Sequence, residues 1–192
     1  MVTGIILASG FSKRMGKDKL LIELDGEKII ETVIKAAKAS ELSQVVVVYR
    51  KTEVKRIADT YKVDSVLNPK AELGQSESMK RGIKRTDKGS DFMFLMGDQP
   101  FLNSDLIDTL INEYKKTSRG IIVPFYNSKK GMPSIFSSNY RQELLEVEGD
   151  KGGRDIMQRN QEDIKKVYFH NEKLGIDVDT FDDLERIKRW IW

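Results

Sequence analysis

Apolar positions follow two patterns that alternate through the first 125 residues. Short, nearly continuous apolar runs recur: GIILAS (4–9), VVVVY (45–49), VDSVLN (63–68), DFMFLMGD (91–98) and GIIVPF (120–125). Between them lie segments whose apolar residues return every three or four positions, as one face of a helix requires. KIIETVIKAAKAS places Ile29, Ile30, Val33, Ile34 and Ala37 on one side. TEVKRIADTY follows, then SESMKRGIKR, with Met79 and Ile83 toward the core and Ser76 as the N-cap. SDLIDTLINEYKK is read as a helix capped at Ser104. The unbroken β-branched run at 45–48 is what a strand covered on both faces needs.

After Phe125 the pattern loosens. NSKKGMPSIF reads as a turn and a strand, and NYRQELLEVEGDKGGRDIMQRN as two short helices around a glycine-rich stretch. LGIDVDTFDDLERIKRWIW reads as a strand and a final helix. Strand–helix alternation with short links predicts an α/β three-layer α/β/α sandwich with a Rossmann-like, mostly parallel sheet and right-handed crossovers. No repeat or linker divides the chain, so residues 1–192 are expected to form one domain.

Composition narrows the functional classes. The 192 residues are 39% hydrophobic and 33% charged, with a net charge of +3. Acids and bases are interspersed, which is not the one-sided basic footprint of a nucleic-acid binder. Cysteine is absent, which removes disulfides and cysteine–zinc sites and suits a reducing cytosol. The N-terminal apolar run is too short for a signal peptide, and no stretch has the length of a membrane span. A soluble, cytoplasmic protein is the expectation.

The chemistry is expected at the carboxyl ends of the strands, where ligands bind in open α/β sheets. Four loops there stand out. LASGFSKRMGKDK (7–19) carries Lys13, Arg14, Lys17 and Lys19 after Gly10, with Gly16 among them. Glycines admit anions to backbone N–H groups and the cations supply charge, so the loop suits phosphates. It is no Walker A loop, because its spacing is one residue too long and Asp18 stands where a metal-binding hydroxyl belongs. The competing reading is a solvated loop with ordinary surface lysines. NPKAELGQSESM (68–79) offers Gly74, Gln75 and Ser78 at a helix start, suited to a base edge or phosphate, against plain capping as the alternative. LMGDQPFL (95–102) ends a strand in Gly97-Asp98, a Mg²⁺-type ligand once a phosphate lies nearby, or else a turn cap. IDVDT (176–180) places Asp177 and Asp179 two apart on an expected strand, so they face one side. Such like charges call for a cation or a hydrogen-bond donor between them, although Asp179 or Thr180 also suits the cap of the last helix. The lone histidine, His170, has no relay beside it and reads as a bystander. Trp190 and Trp192 with Ile187 suit core burial, with an oligomer contact as the alternative.

Together these residues resemble a known family. LASGFSKRMGKDKLLIELDGEKI is similar to the opening signature L-A-x-G-x-S-x-R-M-G-x-x-K of Rossmann-like nucleotidyltransferases of the nucleotide-diphospho-sugar transferase type. MGDQP, GMPSIF, VEGDKGGRDIM and IDVDT resemble the molybdenum cofactor cytidylyltransferases more than the guanylyltransferases. The resemblance implies that Leu7, Ala8, Ser9 and Gly10 hold base and ribose, and that Arg14 and Lys19 grip the triphosphate. It further implies that Asp98 binds Mg²⁺, or Mn²⁺, with Asp177 or Asp179, and that Gly74, Gln75 and Ser78 line the nucleotide pocket. Gly131, Gly149, Asp150, Gly152, Gly153 and Arg154 would lie near the second substrate. The chain departs from the family at Met132, where Gly-His-Pro is usual, at Thr180-Phe181-Asp182-Asp183 in place of Thr-Pro-Glu-Asp, and at Ser9 in place of alanine or glycine.

The implied reaction is transfer of CMP from CTP to molybdopterin with release of pyrophosphate, in a protein whose partners include a molybdoenzyme or its maturation chaperone. A guanylyltransferase using GTP, a sugar-phosphate or methylerythritol-phosphate nucleotidyltransferase, and a nucleotide-binding delivery chaperone without turnover are the alternatives. An attacking phosphate is already anionic, so no general base is needed. Positioning and electrostatics then supply the catalysis.

Overall fold

The structure is a computed structural model and describes residues 1–12 and 15–191. Its centre is the strand β1 (Val2–Ala8), buried along its whole length. β1 pairs in parallel with β4 (Gln44–Tyr49) on one side and β6 (Asp91–Met96) on the other. Two short strands, β2 (Glu23–Leu24) and β3 (Glu27–Lys28), form a separate hairpin between β1 and β4. β5 (Asp64–Leu67) extends the sheet beyond β4. Beyond β6 the order continues β9 (Ser134–Phe136), β7 (Ile121–Tyr126) and β10 (Ile164–Phe169), with β8 (Lys129–Lys130) hairpinned onto β7. β9 runs antiparallel to both β6 and β7, while β10 is parallel to β7. The predicted, mostly parallel sheet is therefore present. Since β4 and β5 lie on one side of β1 and β6 on the other, the strand order reverses between β1 and β6. Ligands bind in the crevice outside the strand tips at such a reversal point.

Alternation along the strands sorts the core into two faces. Ile6 and Ala8 of β1, Val47 of β4 and Met93 and Leu95 of β6 face α1 (Ile29–Ala39), α2 (Thr52–Thr60) and α4 (Ser104–Lys115). Ile5 and Leu7, Val48, Phe92 and Phe94 face α3 (Gln75–Ile83), α5 (Arg141–Glu146) and α6 (Arg154–Arg159). A third cluster joins Met15, Leu24, Ile29 and Val178 to Leu184 and Ile187 of α7 (Phe181–Ile191), with Phe101 and Trp190 packed against it. Trp190 thus takes the core-packing role, while Trp192 lies outside the described residues. All five apolar residues assigned to the face of α1 are buried. Ile34→Ala deletes a fully buried side chain at the centre of one face. A stability loss of about 2–5 kcal/mol is expected, read as a lower denaturant midpoint with unchanged slope.

Several local expectations are corrected. The cap of α4 is Asn103, whose side chain accepts from the Leu106 N–H at 2.9 Å, and Ser104 is already helical. Ser76 does not cap α3: the helix starts at Gln75, and the Gln75 N–H donates to Asp150 from a distant loop at 3.0 Å. A tertiary carboxylate has taken the place of the local hydroxyl, while Met79 and Ile83 are buried as expected. Residues 176–180 are not a strand. They cross the strand tips, where the Val178 N–H donates to the Asp98 carbonyl at 3.0 Å. β10 went unread, because an exposed edge strand with lysines at 165 and 166 lacks a continuous apolar run.

Candidate nucleotide site

The tips of β1 and β6 are drawn together at Gly97. Its N–H donates to the Leu7 carbonyl at 3.1 Å, and an added Cβ would stand only 3.1 Å from that oxygen. This places Asp98 against the first loop. The crevice there is a cavity of about 430 Å³. Leu7, Ser9 and Gly10 line it from β1 and its loop, Gly74, Gln75 and Ser78 from the start of α3, and Lys19, Asp98 and Asp179 from its far end. The first three loops named in the sequence and one residue of the fourth therefore meet at one site. Ala8 is buried beneath it. Arg14 lies outside the described residues, as does Lys13.

The α3 end is built on a buried polar cluster. Ser9 Oγ and Ser78 Oγ are hydrogen-bonded to each other. The fully buried Asn68 amide donates to both, at 3.3 and 3.1 Å, and its oxygen accepts from the Lys70 N–H. In the sequence Asn68 carries one signal only, a polar residue ending an apolar strand, and its role appears once Ser9 and Ser78 meet it. Gly74 adopts φ +101°, and a Cβ there would stand 2.5 Å from the Gly149 backbone. Only glycine lets the 149–150 loop approach closely enough for Asp150 to reach Gln75.

At the other end, Lys19 sits in a single 3₁₀ turn, Lys19–Leu21, capped by Asp18. Its ammonium bridges Asp98 Oδ2 and Asp179 Oδ1, the latter at 2.8 Å. Burial alone would lower the Lys19 pKa, but the two carboxylates outweigh it and hold it above the ordinary lysine value. Asp177 is pushed up to about 7, by burial first and then by the charge of Asp98, with Lys19 opposing. Among the described residues, Asp98 Oδ1 is buried without a hydrogen-bond partner. A carboxylate oxygen normally finds a donor when buried. An orphaned oxygen beside a crowded carboxylate marks a local deficit of positive charge, and that donor set fits a hard divalent cation. Among the described residues no three acidic or histidine side chains form a ready metal cluster. That is compatible with Mg²⁺, which takes one or two carboxylates and completes its shell with water and phosphate oxygens.

The two late aspartates border different cavities, although Asp177 feels the charges of Asp98, Lys19 and Asp179. Asp179 lines the 430 Å³ cavity, and Asp177 lines an adjoining one of about 250 Å³. The cap of α7 is Thr180, whose hydroxyl accepts from the Asp183 N–H at 3.2 Å and donates to its carboxylate. The second cavity is separated from the first by Gln75 and Met96, joined by a 3.2 Å contact from Nε2 to the sulfur. Gly131, Gly152, Gly153 and Arg154 line it, as do Lys130 and Lys151, while Phe94 and Phe136 form its floor. Of the residues assigned to a second substrate, Gly149 and Asp150 instead abut the nucleotide cavity at Gly74 and Gln75. His170 is exposed, apart from both cavities.

An open α/β sheet with a polar, cation-bearing crevice at its reversal point defines a nucleotide-handling α/β protein. The chain belongs to the family described as the MobA-like NTP transferase domain, whose model matches residues 4–164. It is a nucleotidyltransferase. The purine catabolism protein PucB of Bacillus subtilis is 27% identical over 97% of this chain and 95% of its own. The molybdenum cofactor cytidylyltransferase of Escherichia coli is 26% identical over 93% and 91%. A probable molybdenum cofactor guanylyltransferase of Natranaerobius thermophilus is 32% identical over 64% and 60%. Among solved structures, Rv0371c of Mycobacterium tuberculosis superposes with a TM-score of 0.85 at 22% identity, covering 98% of this chain and 97% of that one, which shows the shared fold.

Proposed function

We propose that this protein transfers CMP from CTP to molybdopterin carrying molybdenum, releasing pyrophosphate and forming the cytosine dinucleotide cofactor. The observation that carries the reading is the Asp98 oxygen left without a partner among the described residues, beside Lys19 in a nucleotide-sized crevice. The base and ribose lie against Leu7 to Gly10 and the start of α3. Lys19, with Arg14, offsets charge on the triphosphate. Asp98, with Asp177 or Asp179, would hold Mg²⁺ or Mn²⁺, and the chemistry such an ion would supply there is neutralisation of phosphate charge in the transition state. The acceptor enters through the second cavity, where Lys130, Lys151 and Arg154 suit an anionic group and the aromatic floor suits a planar ring. Its phosphate oxygen attacks the α-phosphorus as the bond to pyrophosphate breaks. The cytoplasm is where such a cofactor would be handed to a molybdoenzyme or its chaperone.

MGDQP and full-length similarity to a cytidylyltransferase support CTP. The higher identity to a guanylyltransferase over part of the chain supports GTP as the second reading. Melting in the presence of CTP, GTP, ATP or UTP, each with Mg²⁺, separates them, since a ligand of the native state raises its stability. A shift with CTP alone is expected. A shift with GTP instead selects guanylyl transfer, and no shift with any nucleotide removes the nucleotide reading.

A further inference from the structure

The end of β4 carries Arg50-Lys51, next to β1 in the sheet, and neither residue has a role in the reading above. Three contacts from Arg50 converge on the loop that frames the nucleotide crevice. Its guanidinium lies over the ring of Phe11, 4.4 Å from the centroid. Its NH2 group donates to the Gly10 carbonyl at 3.3 Å. The same nitrogen lies 3.9 Å from Asp18 Oδ2, which Lys51 approaches to 3.3 Å. Asp18 is almost wholly buried, and its other oxygen accepts from the Leu20 N–H at 3.2 Å, which shapes the turn presenting Lys19. Arg50 Nε is itself buried and finds no partner among the described residues. An arginine kept only for fold stability would be expected to satisfy that donor. Here the planar group is oriented by the loop it clasps.

We propose that Arg50 is a positioning residue for nucleotide binding: it holds Gly10 and Phe11 directly, and through Asp18 it sets the turn that aims Lys19 at the phosphates. This rests on the crevice being a nucleoside triphosphate site. It adds a strand tip that faces the outside of the loop rather than the ligand. The geometry needs a planar group that covers the Phe11 ring while its NH2 reaches the Gly10 carbonyl, which lysine does not offer.

The test titrates CTP and GTP, each with Mg²⁺, into wild type, Arg50→Leu, Arg50→Lys and Asp18→Asn by calorimetry, with ligand-free melting measured alongside. For the nucleotide that wild type binds, Arg50→Leu is expected to raise Kd by roughly tenfold, the scale of one lost charged hydrogen bond. Ligand-free melting should move by no more than about 2 °C, as for a part-exposed ion pair. Arg50→Lys should recover only part of the affinity. Asp18→Asn should weaken binding, and its effect should not add to that of Arg50→Leu. A wild-type Kd in Arg50→Leu overturns the proposal, as does an affinity loss that merely tracks a fallen melting temperature. If Arg50→Leu does not fold, wild-type affinity in both Arg50→Lys and Asp18→Asn overturns it. Binding of neither nucleotide by wild type defeats the crevice assignment itself, and this inference with it.

Discussion

Asp98→Asn is expected to cut Mg²⁺-dependent pyrophosphate release from the preferred nucleotide at least about a hundredfold, the range for removing one electrostatic group at a reacting centre. That corresponds to about 2.7 kcal/mol of transition-state stabilisation. The variant keeps size and shape, so packing at Gly97 and Val178 is retained. Its fold should hold or gain: Lys19 keeps Asp179 at 2.8 Å, and Asp177 is relieved of the nearby charge that, after burial, raises its pKa. The discriminating measurement pairs turnover with a denaturant melt. A hundredfold loss in a protein as stable as wild type supports the metal-holding role. Near-normal turnover by a folded variant removes it.

Lys19→Ala is expected to lose turnover on the same scale but for the opposite electrostatic reason, and its stability should respond differently. Removing the ammonium leaves Asp98 and Asp179 without their shared cation in a region that also holds the buried Asp177. Stripping one partner from a buried charge pair is costly. The ligand-free variant should therefore melt below wild type. Mg²⁺ alone should then raise its melting temperature more than it raises that of wild type, because the ion no longer competes with Lys19 for the same oxygens. The pair of variants makes a crossed prediction. Asp98→Asn should be stable and insensitive to Mg²⁺, and Lys19→Ala should be less stable and more sensitive. If Lys19→Ala keeps wild-type melting and the same small response to Mg²⁺, the ammonium does not neutralise these carboxylates in solution.

Much of this arrangement was readable along the chain because it depends on short-range pattern. Side chains alternate across a strand and recur every three to four residues on a helix, so β1, β4, β5, β6 and β7 and the faces of α1 and α3 follow from local apolar spacing. The same locality exposes the site. Gly97-Asp98 and Ser9-Gly10 end apolar strands, and parallel strands send their carboxyl ends to one edge of the sheet. A glycine-punctuated basic loop after the first strand therefore carried its own meaning.

What lay beyond the sequence reading joins residues distant along the chain. Asp179 meets Lys19 from 160 positions away, and Asp150 caps α3 from 75. Nothing near Gln75 announces that its helix will be capped from another loop, so Ser76 looked sufficient. Asp177 and Asp179 are expected on one face only if alternation applies, and alternation holds for a strand, not for a loop. Residues 176–180 instead cross the strand tips, with Val178 buried between the two, and each aspartate borders its own cavity. Arg50 lay at a strand end with no glycine or acid to mark it, and its meaning appears only when β4 docks beside β1. Local physics therefore settled which elements form and which residue types sit at their tips. Long-range packing settled which tips meet, because contact between distant segments depends on topology and on the fit of whole surfaces, and neither is encoded in any short window of the chain.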